Sequence, residues 1–473
     1  MNRKLLGLTL VVNLSVACAP PPSKTTLVCG EGTTERDGAC VTALRCATGT
    51  HEEGGACIAD PTTPVACGAG THLDGNECVI DPPPTPPPSP WSAPVPVCAS
   101  GVACTDPVLV QSPGGALVAV SESDDASMSV AVYRQGPTGF TLSKRFEGSS
   151  RVALNPTLAL RGATLFLVYT DYTPSGGQDY GPGDLMLATS GDFGETWTAP
   201  RRINPMPATT LLYAPQLVAS AAGLDLVYVD TDGRTTQDNL YVHSDDDGMT
   251  FSAPTPLPSG GQYDSLSVAA RPVRVGDSLE LPMLRSGYDL SSGGRLSSVE
   301  VLSLSPGAQP QPRTERIKRV YASRDFPLDP VPVLAASDPG VRCLAFVDAP
   351  SRDFGVFVVR SEGALDASQR AHLLPGGPGS VQTAPAVAVT PSGDCAVAWL
   401  DNRSGAWELY ETVMRADGSW QQPVKVTPTG FTEDGVTKTL AAKVQLQVDA
   451  TGRRLVWSDF RDGKESLSFS AAP

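Results

Sequence analysis

Histidine is scarce in this sequence, four in 473 residues, which argues against a metal site or a catalytic triad built on imidazole. There is no HExxH pair, no GxSxG elbow and no Walker loop, so the common hydrolase and nucleotide signatures are missing. Cysteines are present, but never as CxxC, which removes the usual zinc spacing. Lys and Arg number 35 against 50 Asp and Glu, a net charge of −15, with no basic tract. Duplex nucleic acid is therefore excluded as a partner, because phosphate neutralisation needs clustered cations. Beyond the N-terminus no apolar run approaches the roughly 20 residues that span a bilayer. Aromatics are 6% and charged residues 18% of the chain. What the sequence has instead is turn chemistry: 46 Gly and 44 Pro, beside a hydrophobic fraction of 41%. That balance suits many short strands joined by turns around a packed core.

The start reads as an export signal over 1–17. Asn2-Arg3-Lys4 is a charged head, and Leu5 to Ala17 is a short apolar stretch. It ends "LSVAC", Leu14 to Cys18, which resembles a bacterial lipobox; Ser15 stands where Leu, Val or Ile is usual. The resemblance implies a lipid on Cys18 and a protein anchored to a membrane without spanning it. Simple cleaved secretion is the alternative. Ala19 is not the aspartate of inner-membrane retention, which favours the outer membrane.

Ten cysteines remain, an even number in an exported chain, which favours disulfides. Six form a repeat: "CGEGTTERDGAC" (Cys29, Cys40), "CATGTHEEGGAC" (Cys46, Cys57) and "CGAGTHLDGNEC" (Cys67, Cys78). The simplest connectivity closes each unit on itself, restricting loops too small to bury a core. His51 and His72 then read as surface residues. The units resemble short cysteine repeats located after the lipid anchor in bacterial surface lipoproteins. Cys98 and Cys104 suit one further local bridge. Cys343 and Cys395 each open the second strand of a repeat; they are expected as two buried thiols, with a bridge as the alternative. After the cysteine region, 18–79, comes a Pro-rich linker, 80–90. Its "DPPPTPPPSP" favours polyproline II, a semi-rigid spacer of about 3 Å per residue.

The rest, 91–473, is repetitive. "SGDFGETW" (Ser190, Asp192, Gly194, Thr196, Trp197) and "SDDDGMTF" (Ser244, Asp246, Gly248, Thr250, Phe251) share S-x-D-x-G-x-T-aromatic, each with a small residue and Ala-Pro directly after it. The aspartate suits hydrogen bonds from its own turn, the glycine a left-handed backbone and the aromatic a strand entry. A turn is favoured over a calcium loop or a catalytic cluster. A longer pattern, strand–turn–strand and in most copies ending in Asp, recurs seven times from "DPVLVQSPGGALVAVSESD" (106–124) to "AKVQLQVDATGRRLVWSD" (442–459). The eight-residue motif is similar to the Asp-box of sialidase-like β-propellers. The resemblance implies an all-β propeller of four-stranded blades, with the boxes on the face opposite the functional one. The last copy lacks a fourth strand. "WSAPVPV" (91–97) is a copy of the segments at the ends of the boxes, "WTAPRRI" (197–203) and "FSAPTPL" (251–257). The N-terminal stretch is therefore expected to close the last blade, which favours seven blades over the six usual in sialidases.

Loops after each second strand should gather on one face. The candidate binding face comprises Asp171, Tyr172, Asp230, Asp348, Asp401, Arg403, Asp459 and Arg461. "AWLDNRSG" and "VWSDFRDG" share W-x-D-x-R-x-G, which also suits an Asp–Arg pair that merely shapes its loop. Sialoside hydrolysis in the family needs three arginines, a tyrosine activated by a glutamate and an acidic proton donor. The Arg-Ile-Pro motif is missing; "RRINP" (201–205) comes after a box instead, and the loop tyrosines Tyr172, Tyr180 and Tyr288 have no identifiable glutamate. The first reading is accordingly a non-catalytic envelope lipoprotein whose propeller presents a ligand- or partner-binding face. The alternatives are a glycan-acting enzyme of the sialidase-like class and an envelope scaffold. Expected partners are the membrane, through Cys18, and a glycan or envelope protein. No cofactor is expected, a structural cation such as calcium being the one left open.

Overall fold

The computed structural model describes most of residues 89–473 and three hairpins between 33 and 80. Outside it lie 1–27, 60–70, 81–88, 321–330, 428–442 and shorter stretches, among them 124–126, 175–179, 232–236, 268–270, 290–293, 350–353 and 460–464. Cys18 falls in the first of these. Met1–Thr85 and Pro86–Pro473 are separate compact units.

In the first unit each cysteine repeat forms one hairpin: Thr33–Arg36 with Ala39–Thr42, Thr50–Glu53 with Ala56–Ala59, and Thr71–Asp74 with Glu77–Ile80. Cys29–Cys40 and Cys46–Cys57 are bonded, closing the first two repeats on themselves. Cys67 of the third lies outside the described residues.

The second unit is all-β: seven antiparallel sheets, one for each sequence repeat, make the blades of a propeller. Blades 1 to 6 run in chain order over 103–147, 153–202, 211–256, 265–320, 333–373 and 382–425. Blade 7 takes Val444–Asp449, Gly452–Asp459 and Ser466–Ala472 from the C-terminus and Val95–Pro96 from the N-terminus. Phe469 pairs with Val95 and Ser468 with Pro96. Ser92 N donates to Ala471 O at 2.8 Å and Val97 N to Leu467 O at 2.9 Å, extending the closure beyond the ladder. In blade 4 the inner strand is split into Ser265–Ser267 and Val273–Val275, both pairing with Ser278–Asp289.

The aromatic that enters each closing strand explains why "WSAPVPV" belongs there. Trp197 of blade 2 packs edge-to-face on Phe146 of blade 1, ring centroids 5.5 Å apart. Phe251 of blade 3 joins the core shared with blade 2, and Trp420 of blade 6 that shared with blade 5. Trp91, buried to 7% exposure, fills the same place between blades 7 and 6 beside Leu400, Leu455 and Trp457. Each of these blades thus leans an aromatic on the blade before it, and the last does so with a residue from the opposite end of the chain.

The two Asp-boxes stand between third and fourth strands, on the face opposite the loops at the ends of the second strands. Asp192 accepts from Thr196 N at 2.9 Å and Ser190 Oγ at 2.7 Å; Asp246 accepts from Thr250 N at 2.8 Å and Ser244 Oγ at 2.9 Å. Gly194 and Gly248 have φ of +83° and +77°, and a Cβ there would come within 2.9 Å of Leu117 and 2.6 Å of Leu187 in the preceding blade. Glycine is needed for the turn and for its docking alike. In the acidic run Asp246 holds the turn, Asp245 takes His243 Nε2 at 2.8 Å, and Asp247 pairs with Arg161 of blade 2.

Cys343 and Cys395, expected as thiols, are bonded, their Cα atoms 5.8 Å apart. Strand alternation is the reason. Cys343 is the second residue of Arg342–Asp348, and Cys395 is the first of Cys395–Asp401. One step along a strand reverses the side chain, so Cys343 faces blade 6 while Cys395 faces back to blade 5. Arg342 and Arg453 occupy the position of Cys395 in their own blades and also reach backwards. Arg342 holds Glu280 at 2.7 to 3.0 Å, and Arg453 holds Glu411 at 2.7 and 2.8 Å.

Two outcomes are expected for stability. Trp91→Ala should lower unfolding free energy by about 3 kcal/mol or more, as for other buried Trp truncations; denaturant unfolding measures it, with the exposed Leu373→Ala as a near-neutral reference. The Asp246 carboxyl is held down at about 2, against an ordinary 3.8, first by the Thr250 hydroxyl and then by its amide. Its contribution is present above the ordinary value and is lost as pH falls through the folded one. Wild type should therefore lose stability more steeply than Asp246→Asn between about pH 4 and pH 2, read from unfolding midpoints across that window.

Candidate ligand-binding face

The face is set by strand order: second strands end there and first strands begin there. Four first strands carry the same local device at this end. Asp106, Asn155, Ala214 and Ala384 each precede a proline and have φ between 48° and 55°. In all four the strand register slips at that point. Proline cannot donate to the ladder, and the bulge leaves the unpaired residue aimed away from the sheet.

Two of these residues join a hydrogen-bonded chain along the inner rim of blades 7, 1 and 2. Lys443 Nζ donates to Asp106. Ser121 Oγ donates to Asp106 Oδ2 and accepts from Asn155 N, both at 3.2 Å; Tyr172 Oη donates to Asn155 Oδ1 at 2.9 Å. Burial alone would raise the Asp106 carboxyl, but the Lys443 ammonium and the hydroxyl donors hold it below the ordinary value. Tyr172 is buried to 3% exposure, part of the framework beneath the face.

The other candidate residues come from blades 2, 3, 5, 6 and 7. Asp171 and Asp230 lie in their second strands opposite Ala153 and Leu212, both residues half-buried. Asp348 is half-buried and accepts from Ala349 N at 2.7 Å. Asp459 ends its strand opposite Ser466; its side chain and Arg461 lie outside the described residues. Asp401 and Arg403 are brought together. Fully buried Asp401 accepts from Gln382 Nε2 at 3.2 Å, Trp399 Nε1 at 3.1 Å, Arg403 N at 2.8 Å and Arg403 Nη2 at 2.6 Å. The same guanidinium donates to Pro375 O at 2.7 Å, tying blade 6 to blade 5. An aspartate with four donors and a buried ion pair fixes a loop.

Next to this pair lies a cluster that no sequence motif singles out. Arg403 sits 4.4 Å from the Tyr410 ring centroid. Tyr410 Oη donates to Glu408 Oε2 at 2.7 Å, and Lys425 Nζ donates to Glu408 Oε1 at 2.6 Å. Burial, then the bond to Glu408, pushes the Tyr410 phenol up. Burial opposes ionisation of Glu408, but its hydrogen bonds from Lys425 and Tyr410 hold the carboxyl below its ordinary value. A second tyrosine–glutamate pair, Tyr133 on Glu122, is buried in the seam of blades 7 and 1, with Arg145 on the same carboxylate at 2.6 Å. There the phenol is pushed up to about 12, by burial first and the bond to Glu122 second. No local signal marks either pair: Glu408 and Tyr410 are simply two residues apart on one strand, and Glu122 and Tyr133 meet only through strand pairing.

No family model matches the chain, and no curated protein sequence matches it. Among solved structures it is similar to a Hadza microbial sialidase, with 14% identity, TM-score 0.45, and coverage of 76% of this chain and 74% of that one. It is similar to an ulvan lyase of a new polysaccharide lyase family at 12% identity and TM-score 0.49, over 78% and 93% of the two chains. It is also similar to an α-L-arabinofuranosidase of Fusarium graminearum at 13% identity and TM-score 0.43, over 81% and 98%. Identities this low do not speak to ligand or reaction, and the propeller stands on the strand pairing itself.

Removing one partner of the buried pair leaves several groups unsatisfied. Asp401→Ala should cost about 3 to 5 kcal/mol of stability, whereas Asp348→Asn should cost less than about 1. Parallel urea titrations of the two variants give the comparison.

Proposed function

We propose that this chain is a cell-envelope lipoprotein, anchored through Cys18, whose propeller presents a preorganised face to a glycan or a protein partner. The observation that carries this reading is the Asp401–Arg403 loop. Its carboxylate is saturated by protein donors and its guanidinium bridges two blades, so the surface above it is held in one shape before any ligand arrives. Rigid loops lose little entropy on binding, which is how a modest contact area becomes specific. The signal-like N-terminus, the cysteine hairpins and the Pro-rich composition of 80–90 fit a module held away from a membrane, with the outer membrane favoured.

One observation favours a second reading, a glycan-acting enzyme: Tyr410 donates to Glu408 beside Arg403. A tyrosine–glutamate pair next to a cation is part of what sialoside chemistry uses.

A single set of proteins separates the two. Wild type, a variant with 400–405 replaced by a Gly/Ser loop, and Tyr410→Phe are presented to an array of envelope glycans and purified envelope proteins. The same proteins are incubated with chromogenic glycosides. The binding reading expects a ligand retained by wild type and Tyr410→Phe and lost by the loop variant, without turnover. Undiminished capture by the folded loop variant contradicts it. Turnover abolished by Tyr410→Phe would replace it with the enzyme reading.

A further inference from the structure

Five of the seven outer strands are two residues long. The exceptions are Gly139–Glu147 in blade 1 and Arg313–Val320 in blade 4. A full-length outer strand offers a row of backbone N–H and C=O groups along its free edge. In blade 1 the edge is engaged where the strand bulges, because Ser143 donates to Gly194 O and accepts from Trp197 Nε1 in the Asp-box of blade 2. Blade 5, next to blade 4, has no such box. The bulge residue of Arg313–Val320 is Ile317, skipped between the pairs Glu300–Arg316 and Val299–Lys318. Ile317 is buried in the seam with blade 5. Among the described residues no strand pairs with the outer edge of Arg313–Val320.

The sequence of this strand opposes the charge of the molecule. In a chain of net charge −15, "RTERIKRV" carries four basic residues and one acidic. The sequence read as free of basic tracts, and the fold sets this short run on one open edge. Arg313 and Arg316 are exposed, at 85% and 57% of the side chain. Glu315 lies 3.9 Å from Arg313, and Glu300, already held by Arg285 at 3.1 Å, lies 3.7 Å from Arg316. Net positive charge remains along the edge.

We infer that the outer edge of Arg313–Val320 is a docking strand for an extended acidic polypeptide segment of a partner, which pairs with it as an added strand of blade 4. Backbone groups supply the affinity and charge supplies the choice. A second copy of this strand is disfavoured, because it would bring the same net positive charge to the edge. An anionic polysaccharide would match the charge but has no amide repeat to meet the edge.

The test uses the full chain and a fluorescent peptide of roughly seven alternating glutamates and valines, the length of the edge. Binding is monitored by anisotropy, and hydrogen exchange is measured over 313–320. The expected result is saturable binding that weakens about tenfold or more from about 50 to about 500 mM salt. New exchange protection should appear across 313–320. Binding should weaken at least about tenfold in the double variant Arg313→Glu, Lys318→Glu, whose circular dichroism matches wild type. A peptide N-methylated at alternate amides should not bind. Four results would overturn the proposal: no binding, equal binding of the N-methylated peptide, equal competition by polygalacturonate, or protection of the edge already complete without peptide. The third would mean charge recognition alone, and the last would mean that the chain covers its own edge.

Discussion

A ring of blades has one seam that the chain does not make in passing, and the fold depends on it. Here that seam is formed when Trp91 to Val97 leaves the linker and lies against Ser466–Ala472. The ladder is short, two paired residues. Side chains do the rest: Trp91 is buried between blades 6 and 7, Arg453 holds Glu411 beneath it, and Val97 packs with Leu467 and Phe469 toward blade 1. Cys98–Cys104 then ties the incoming segment to the first strand of blade 1. Without this segment Ser466–Ala472 would be an open edge and two blade faces would lose their cover.

The other seams solve the same problem with different chemistry at one repeating position, early in the second strand. Leu165 and Leu224 fill it in blades 2 and 3 and pack on the preceding blade. Blade 5 has Arg342 against a buried glutamate, blade 6 has the half-cystine Cys395, and blade 7 has Arg453 against another glutamate. Hydrophobic contact, ion pair and covalent bond are interchangeable there because the geometry is fixed by the fan of blades. The buried ion pairs need not add much stability over apolar residues of similar size. They do make each seam particular to its two blades.

Much of this is legible in the sequence because it is local. Each strand–turn–strand repeat, each Asp-box and the copy of "SAP" after Trp91 is carried by residues close together in sequence. A fourth such segment, "WQQPVKV" after Gly418-Ser419, is marked less clearly because its box is degenerate. The Cys343–Cys395 bond is hidden when both residues are aligned to the start of a strand, because each then needs its side of the sheet counted separately. The seam ion pairs are beyond reach, since Glu280 and Arg342, 62 residues apart in sequence, are joined only by the stacking of blades. The candidate face stands in between. Its rim of aspartates is visible as a repeat, but a motif cannot show that Tyr172 turns down to Asn155 or that Asp401 is saturated by its neighbours.

The N-terminal segment is the fourth strand of the seventh blade. The direct measurement is cysteine cross-linking across that pair, with Val95→Cys and Phe469→Cys placed in the full chain and the bonds mapped by non-reducing peptide analysis. Opposed residues of an antiparallel ladder lie close enough for a disulfide. An intramolecular bond between positions 95 and 469 is expected in nearly all molecules. Free thiols at both positions in folded protein, or a bond from 95 to another blade, would contradict it.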